Sequence, residues 1–363
     1  MSARARARIE AVLARQGASA PLDVEALVAM GARARVTLNF HPDRLLADGR
    51  TVVEALLADG RYKNQFETGL SNGSRTAFGG GARDGWEEKL FGGAYHEPPS
   101  EAHERPKYGA LDVMRHADGG SPRFGSCYLV LGRHVNERCT FTWGDSHVGP
   151  EHVGTSDVFE ALAAAMLEAA ASSGEVLAVR ASVAELVGLA ELVGLAGDRT
   201  RSRKAVGRAL DDYIEAQVHG SIDLARDVDS LVIDPAHLRS EVGERLRGLG
   251  ERYGFAIERH PGFVLAPQAV PSDFRGPRMP ALAERIARAE RVVLAERVSS
   301  TTDALAASMI DAATIGRAAA SLHRDPASWQ DWGTPDETLQ HLKQLWHVLV
   351  RFGHPPPPPP PPP

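Results

Sequence analysis

Between residues 62 and 148 the chain almost abandons helical periodicity, and that stretch limits what the whole can become. Glycines, aromatics and polar turn residues crowd it. Short strand-like runs stand out: YGALDV (108–113), CYLVLG (127–132) and CTFTWG (139–144), with QFETGLS (65–71) as a further candidate. Only DGWEEKLFGG breaks in with helical spacing. Strands that follow one another without helices between them do not build a doubly wound parallel sheet, so an α+β core of short, largely antiparallel strands is expected. CYLVLG and CTFTWG, joined by RHVNER, read as an antiparallel hairpin.

The flanks are more helical. Residues 1–32 carry apolar residues at three- and four-residue steps (Ile9, Val12, Leu13; Val24, Leu27, Val28). VTLNF (36–40) is a strand ending at a proline, and RTVVEALLADG (50–60) is an amphipathic helix that closes on Gly60. A helical block over 157–213 holds AELVGL twice, at 184–189 and 190–195. Six is not a period that builds a solenoid, so the repeat reads as local slippage. IEAQVHG (214–220) and LVIDP (231–235) read as strands, EVGERLRGLGERYG (241–254) as a helix, and FAIERH with GFVLAP as a final strand pair. Residues 280–350 are helical again, and Pro355–Pro363 form an exposed polyproline tail. The expected division is a helical segment over 1–34, a core over 35–275, a helical extension over 276–354 and the tail over 355–363.

Composition closes off several classes. With 43% hydrophobic and 24% charged residues the chain buries a core. A net charge of -6 gives no basic field for nucleic acid, apart from the local SARARAR start. No apolar run approaches the roughly 18–20 residues that span a bilayer, and none follows the basic start as in a cleavable signal, so no membrane partner is expected. Cys127 and Cys139 lie in apolar runs and read as core residues of a chain made in a reducing cytosol. FGGGARDG (78–85) lacks the Lys-Ser/Thr ending of a phosphate loop and reads as a turn before the helix at Trp86. Neither Asp145, His147 and His152 nor His96 and His103 have zinc spacing, so no metal is expected.

Three segments carry polar residues that packing does not require. NFHPDR (39–44) ends a strand in His41 and Arg44. YKNQFETGLSNGS (62–74) is dense in donors and acceptors, among them Gln65, Glu67, Thr68, Ser71 and Asn72. In YIEAQVHG, Glu215 and Gln217 share one strand face. RPKYGAL (105–111) adds Tyr108 beside a base.

Taken together, HPDR, NQFETGLSNG, RPKYGAL, FGSCYLVLG and YIEAQVHG resemble the CteC-type bacterial effectors, which ADP-ribosylate a threonine of ubiquitin. The resemblance covers roughly residues 35–275. It implies an ADP-ribosyltransferase-like core of two small packed antiparallel sheets with helical N- and C-terminal additions, NAD as co-substrate in the cleft, no metal, and ubiquitin as protein substrate. It also implies synthesis in a bacterial cytoplasm and delivery into a target cell. Glu215 resembles the invariant glutamate that stabilises the oxocarbenium-like state formed when ribose and nicotinamide part. His41 or Arg44 matches the early-strand position that binds NAD, and the choice between them stays open. Thr68, Ser71 and their neighbours resemble a nicotinamide-pocket strand, Gln65 and Asn72 join them as NAD contacts, and Tyr108 offers a ring for stacking. Glu67 and Gln217 are candidates for acceptor contacts. Tyr213 stands two residues before Glu215, where arginine-modifying enzymes carry an acidic or amide residue, so the acceptor expected is a hydroxyl. The rivals are an NAD glycohydrolase and a non-catalytic interaction module.

Overall fold

The structure is a computed structural model describing residues 2–15, 24–69, 77–96, 100–193, 206–295 and 309–357. At its centre the strands β1 (Arg35–Phe40), β2 (Lys107–Asp112), β3 (Cys127–Leu131), β4 (Cys139–Trp143), β5 (Val153–Thr155), β6 (Ile214–Val218), β7 (Val228–Ile233) and β8 (Ala256–Arg259) form one sheet. They lie in the order β8-β7-β3-β1-β2-β6-β4-β5. The β7–β8 pair is parallel and the others are antiparallel.

This corrects the expectation of two small packed antiparallel sheets: one large mixed sheet stands in their place, with two-stranded ribbons outside it. The reason lies in strands such as CYLVL, whose five residues are all buried. Burial of both its faces suits a strand in the interior of one large covered sheet. β3 accordingly pairs with β1 and β7, not with β4. The expected hairpin is therefore absent; RHVNER is a 3-10 helix over Arg133–Arg138 that carries the chain to β4 between β6 and β5. FAIERH and GFVLAP separate too. The helix Glu241–Tyr253 between β7 and β8 makes a parallel crossover, while Val264–Leu265 pairs with Ile310–Asp311.

Local signals explain the helices. The helix α1 (Val52–Asp59) starts on a capping box between Thr51 and Glu54 and stops at Gly60, whose φ of 64° is left-handed. QFETGLS does not begin as a strand. Asn64 accepts hydrogen bonds from the amides of Phe66 and Glu67 and starts a single helical turn, α2 (Gln65–Thr68), which ends at left-handed Gly69. Here capping chemistry overrides alternation.

The sheet has two chemically different faces. Along β1, Val36, Leu38 and Phe40 enter the main hydrophobic core; so do Leu111 of β2, Phe141 of β4 and Ile214, Ala216 and Val218 of β6. The same core takes Ile9, Val12, Leu27 and Met30 from the N-terminal helices Ser2–Arg15 and Val24–Arg33. The alternate residues point the other way. Register places Thr37, Ala110, Glu215 and Thr142 in one row across β1, β2, β6 and β4, with Tyr108, Gln217 and Thr140 in the next. A second core joins Phe263, Leu265 and Val270 to three helices, α4 (Met279–Ala295), α5 (Ala312–Arg324) and α6 (Pro335–Phe352). Both cysteines are buried and free. Among the described residues no helix is long and apolar enough to cross a membrane.

Gly125 lets the chain pass hard against the end of β1. A Cβ there would lie 2.0 Å from the carbonyl carbon of Phe40, and its own carbonyl accepts from Asn39 Nδ2 at 3.2 Å. Gly125→Ala is therefore expected to lower stability by about 3 kcal/mol in urea denaturation, through overpacking against backbone. A loss below about 0.5 kcal/mol would contradict the close approach.

Candidate functional site

The polar face of the sheet floors a cleft of about 1200 Å³, open mouth included. Its lining comes from the end of β1 (Asn39, Phe40, His41), Arg44, α1, α2, Arg83 and Trp86, the start of β2, Phe124, Asp145 and Ser146 after β4, and Glu215 of β6.

Glu215 is 3% exposed and sits between β2 and β4, opposite Ala110 and Thr142. Its Oε1 accepts from the Ser146 amide at 3.3 Å and from Gln217 Nε2 at 2.8 Å. Gln217 is itself fixed: Nε2 also donates to Thr142 Oγ1 at 3.2 Å, and Oε1 accepts from Thr140 Oγ1 at 2.9 Å. Burial, with Asp145 adding its charge, pushes the Glu215 carboxyl up to about 7. Asp145 behaves oppositely. Burial works to raise it, but hydrogen bonds from His147 outweigh that and hold it below the ordinary carboxylate range. Two neighbouring carboxyls thus titrate apart, an arrangement common in acid–base sites.

An aromatic and cationic wall stands beside Glu215 on the helix α3 (Ala82–Phe91), where Arg83, Trp86 and Glu87 follow at helical spacing. The Arg83 guanidinium lies 4.7 Å from the Trp86 ring centroid and 4.5 Å from that of Tyr108. Its Nε and Nη1 are buried without hydrogen-bond partners. Tyr108 donates to Glu87 Oε1 at 2.7 Å, and Arg105 donates to Glu87 Oε2 at 3.1 Å. Burial raises the Glu87 carboxyl despite Tyr108 and the two arginines.

At the other end stand His41 and Arg44, both buried. Burial first, then the charge of Arg44, drives His41 well below its ordinary range, so it is neutral. Its ring stands edge-on to Trp346 of α6, with centroids 5.1 Å apart. Arg44 forms no salt bridge among the described residues, although Asp43 acts on it through space.

The cleft thus brings together His41, Arg44, Gln65, Thr68, Tyr108 and Glu215. Thr68 ends a helical turn, not a strand, and donates to the Asn64 carbonyl at 3.0 Å. Two candidates lie off the lining. The Glu67 carboxylate accepts from the Asn64 amide at 2.9 Å and completes a capping box, and Gln217 stands behind Glu215 as its hydrogen-bond donor. Ser71 and Asn72 fall outside the described residues. Sequence reasoning missed Arg83, Trp86, Asp145 and Ser146. The spacing of Arg83, Trp86 and Glu87 on one helix face was the available signal. Among the described residues no group of three or more His, Cys, Asp or Glu is placed to hold a metal ion.

Residues 35–352 match the family of proteins of unknown function DUF3626, and the chain belongs to that family. No curated protein matches it.

The Glu215 carboxyl, ordinarily at 4.5, titrates near 7 in the fold, so folding favours its protonated form. That contribution is fully present below pH 4.5 and is lost as pH rises through 7; ionisation above 7 then costs about 3 kcal/mol, order of magnitude. Glu215→Gln should therefore unfold at a higher temperature than the parent chain at pH 8 and at nearly the same temperature at pH 4.5. An equal difference at both pH values, read by thermal denaturation, would contradict the buried, proton-binding carboxyl.

Proposed function

We propose that this cleft binds NAD and transfers its ADP-ribose to a protein hydroxyl, a threonine of ubiquitin being the acceptor that the effector resemblance implies. One observation carries the reading: Glu215, buried at the floor of the cleft, shares that cleft with Arg44, His41, Gln65, Thr68 and Tyr108. The site residues support this function and the fold does not, because the single large sheet differs from the two-sheet arrangement that the resemblance implied.

The bond between the ribose C1′ and the nicotinamide nitrogen breaks, and nicotinamide leaves with the bonding pair. The sugar passes through an oxocarbenium-like state, which an ionised Glu215 stabilises electrostatically in a water-poor site. The acceptor oxygen attacks C1′, and its proton passes to the carboxylate. A carboxyl that titrates at about 7 suits that exchange near neutral pH. Tyr108, which lines the cleft, is the ring that the resemblance offers for contact with the nicotinamide. Gln217 and the Ser146 amide hold the carboxylate in place. The same resemblance puts the site of action in a target cell, after synthesis in a bacterial cytoplasm.

Incubation of the protein with NAD and ubiquitin, read by intact mass, tests the proposal. The expected result is one added ADP-ribose unit on ubiquitin, reduced at least 1000-fold in rate by Glu215→Ala, the scale of losing a transition-state electrostatic group. NAD consumed with ubiquitin unmodified would favour water or another protein as acceptor. No NAD turnover would overturn the enzymatic reading.

A further inference from the structure

Glu215, Gln217 and, just past the end of β6, His219 stand at alternate positions and so share one face. Register sets Thr142 of β4 opposite Glu215, and Thr140 opposite Gln217. Tyr95 follows the helix α3, which ends at Phe91. Its ring stacks on that of His219, with centroids 6.0 Å apart and planes at 17°, and the Phe91 ring meets His219 edge-on at 5.1 Å.

The hydrogen bonds along this row can run in one direction only. The Thr142 hydroxyl donates to the Gly144 carbonyl at 3.0 Å, so toward Gln217 it can only accept. An ionised Glu215 is likewise an acceptor only. Both lie at one end of Gln217, at 3.2 and 2.8 Å, so the amide NH2 stands at that end. Its carbonyl oxygen is left for Thr140, whose hydroxyl donates to it at 2.9 Å. With its one proton committed, Thr140 Oγ1 accepts from His219 Nε2 at 3.0 Å. Burial, then the charges of Arg138 and Lys107, push the His219 imidazole down to about 4, so it is neutral and carries a single N–H. That proton sits on Nε2, and Nδ1 accepts from the Tyr95 hydroxyl.

We propose that Tyr95, His219 and Thr140 are positioning residues: they form a one-way chain of donors that keeps the Gln217 NH2 turned toward Glu215 and stabilises the ionised carboxylate. Each bond strengthens the next, because all the donors point the same way. The chain also couples α3, which carries Arg83 and Trp86 of the cleft wall, to the carboxyl on the floor. Its part in NAD cleavage rests on the function proposed above; the chain itself rests on the hydrogen bonds. Asp145, Arg83, Tyr108 and Tyr213 also interact with Glu215 through charge. Among the described residues none of these four bonds to Tyr95, His219 or Thr140, so substitutions in the chain leave them in place.

Carbon-13 NMR titration of the side-chain carboxyls in the full chain, with the Glu215 signal assigned by its loss in Glu215→Gln, tests this without NAD. Thr140→Val trades the hydroxyl for a methyl group and removes a bond that favours the ionised form. It should move the Glu215 inflection up by about half to one pH unit, the worth of one neutral hydrogen bond. Thr140→Ser, which keeps the hydroxyl, should leave the inflection where the unaltered chain has it. Tyr95→Phe, at the half-buried end of the chain, should move it the same way by a smaller step. An inflection that stays in place in Thr140→Val, or in Tyr95→Phe should the former not fold, would overturn the chain. A Thr140→Ser that shifts as far as Thr140→Val would overturn it too. The pH profile of NAD cleavage separates the chain from the function: the kcat/KM inflection of Thr140→Val should follow the NMR inflection. A carboxyl that shifts in a protein that turns over no NAD would keep the positioning residues and remove the NAD chemistry.

Discussion

Burying a carboxyl in the middle of a sheet is costly, and the arrangement around Glu215 exists to hold one there. An unpaired ion in such a place would lose several kcal/mol of hydration. Three devices offset this. The group takes up a proton near neutral pH, the Ser146 amide and Gln217 donate to it, and Thr140 and Thr142 fix Gln217 from the neighbouring strand. The chain of polar contacts continues from Thr140 to His219, and from His219 to Tyr95. All of it depends on register. A slip of one residue in β6 would send Glu215 and Gln217 into the hydrophobic core and bring Ile214, Ala216 and Val218 to the cleft.

The second core is tied to the same cleft. Phe263, Leu265 and Val270, which precede the helices of the C-terminal unit, are buried with them and not with the sheet. Cutting the chain near residue 276 would strip those residues of their partners and remove Trp346 from His41. The unit therefore supports one wall of the site through packing, whatever ligand the cleft takes.

Much of this was legible in the sequence, and the limits have physical causes. VTLNF, YGALDV and YIEAQVHG carry alternation strong enough to mark the strands β1, β2 and β6, and Asn39, Tyr108 and Glu215 among its polar members line the cleft. Gly60 marked a helix end because its left-handed φ of 64° favours glycine. Strand neighbours were not legible. Whether β3 lies against β4 or between β1 and β7 is decided by pairing with strands about a hundred positions away in the chain. Nor did local spacing reveal that Asn64 would win its segment for a helical turn, or that Glu67 would be occupied as a cap. Arg83 escaped notice because its helix is mostly polar, with a glycine at 85, and its partners Tyr108 and Trp86 converge only in three dimensions.

The central claim is that an ionised Glu215 acts on NAD, and the pH dependence of NAD cleavage tests it most directly. The account predicts a kcat/KM that rises with pH and levels off above an inflection near 7, with the rise absent and the rate reduced by orders of magnitude in Glu215→Gln. Cleavage by Glu215→Gln at the rate of the unaltered chain, with the same profile, would contradict it.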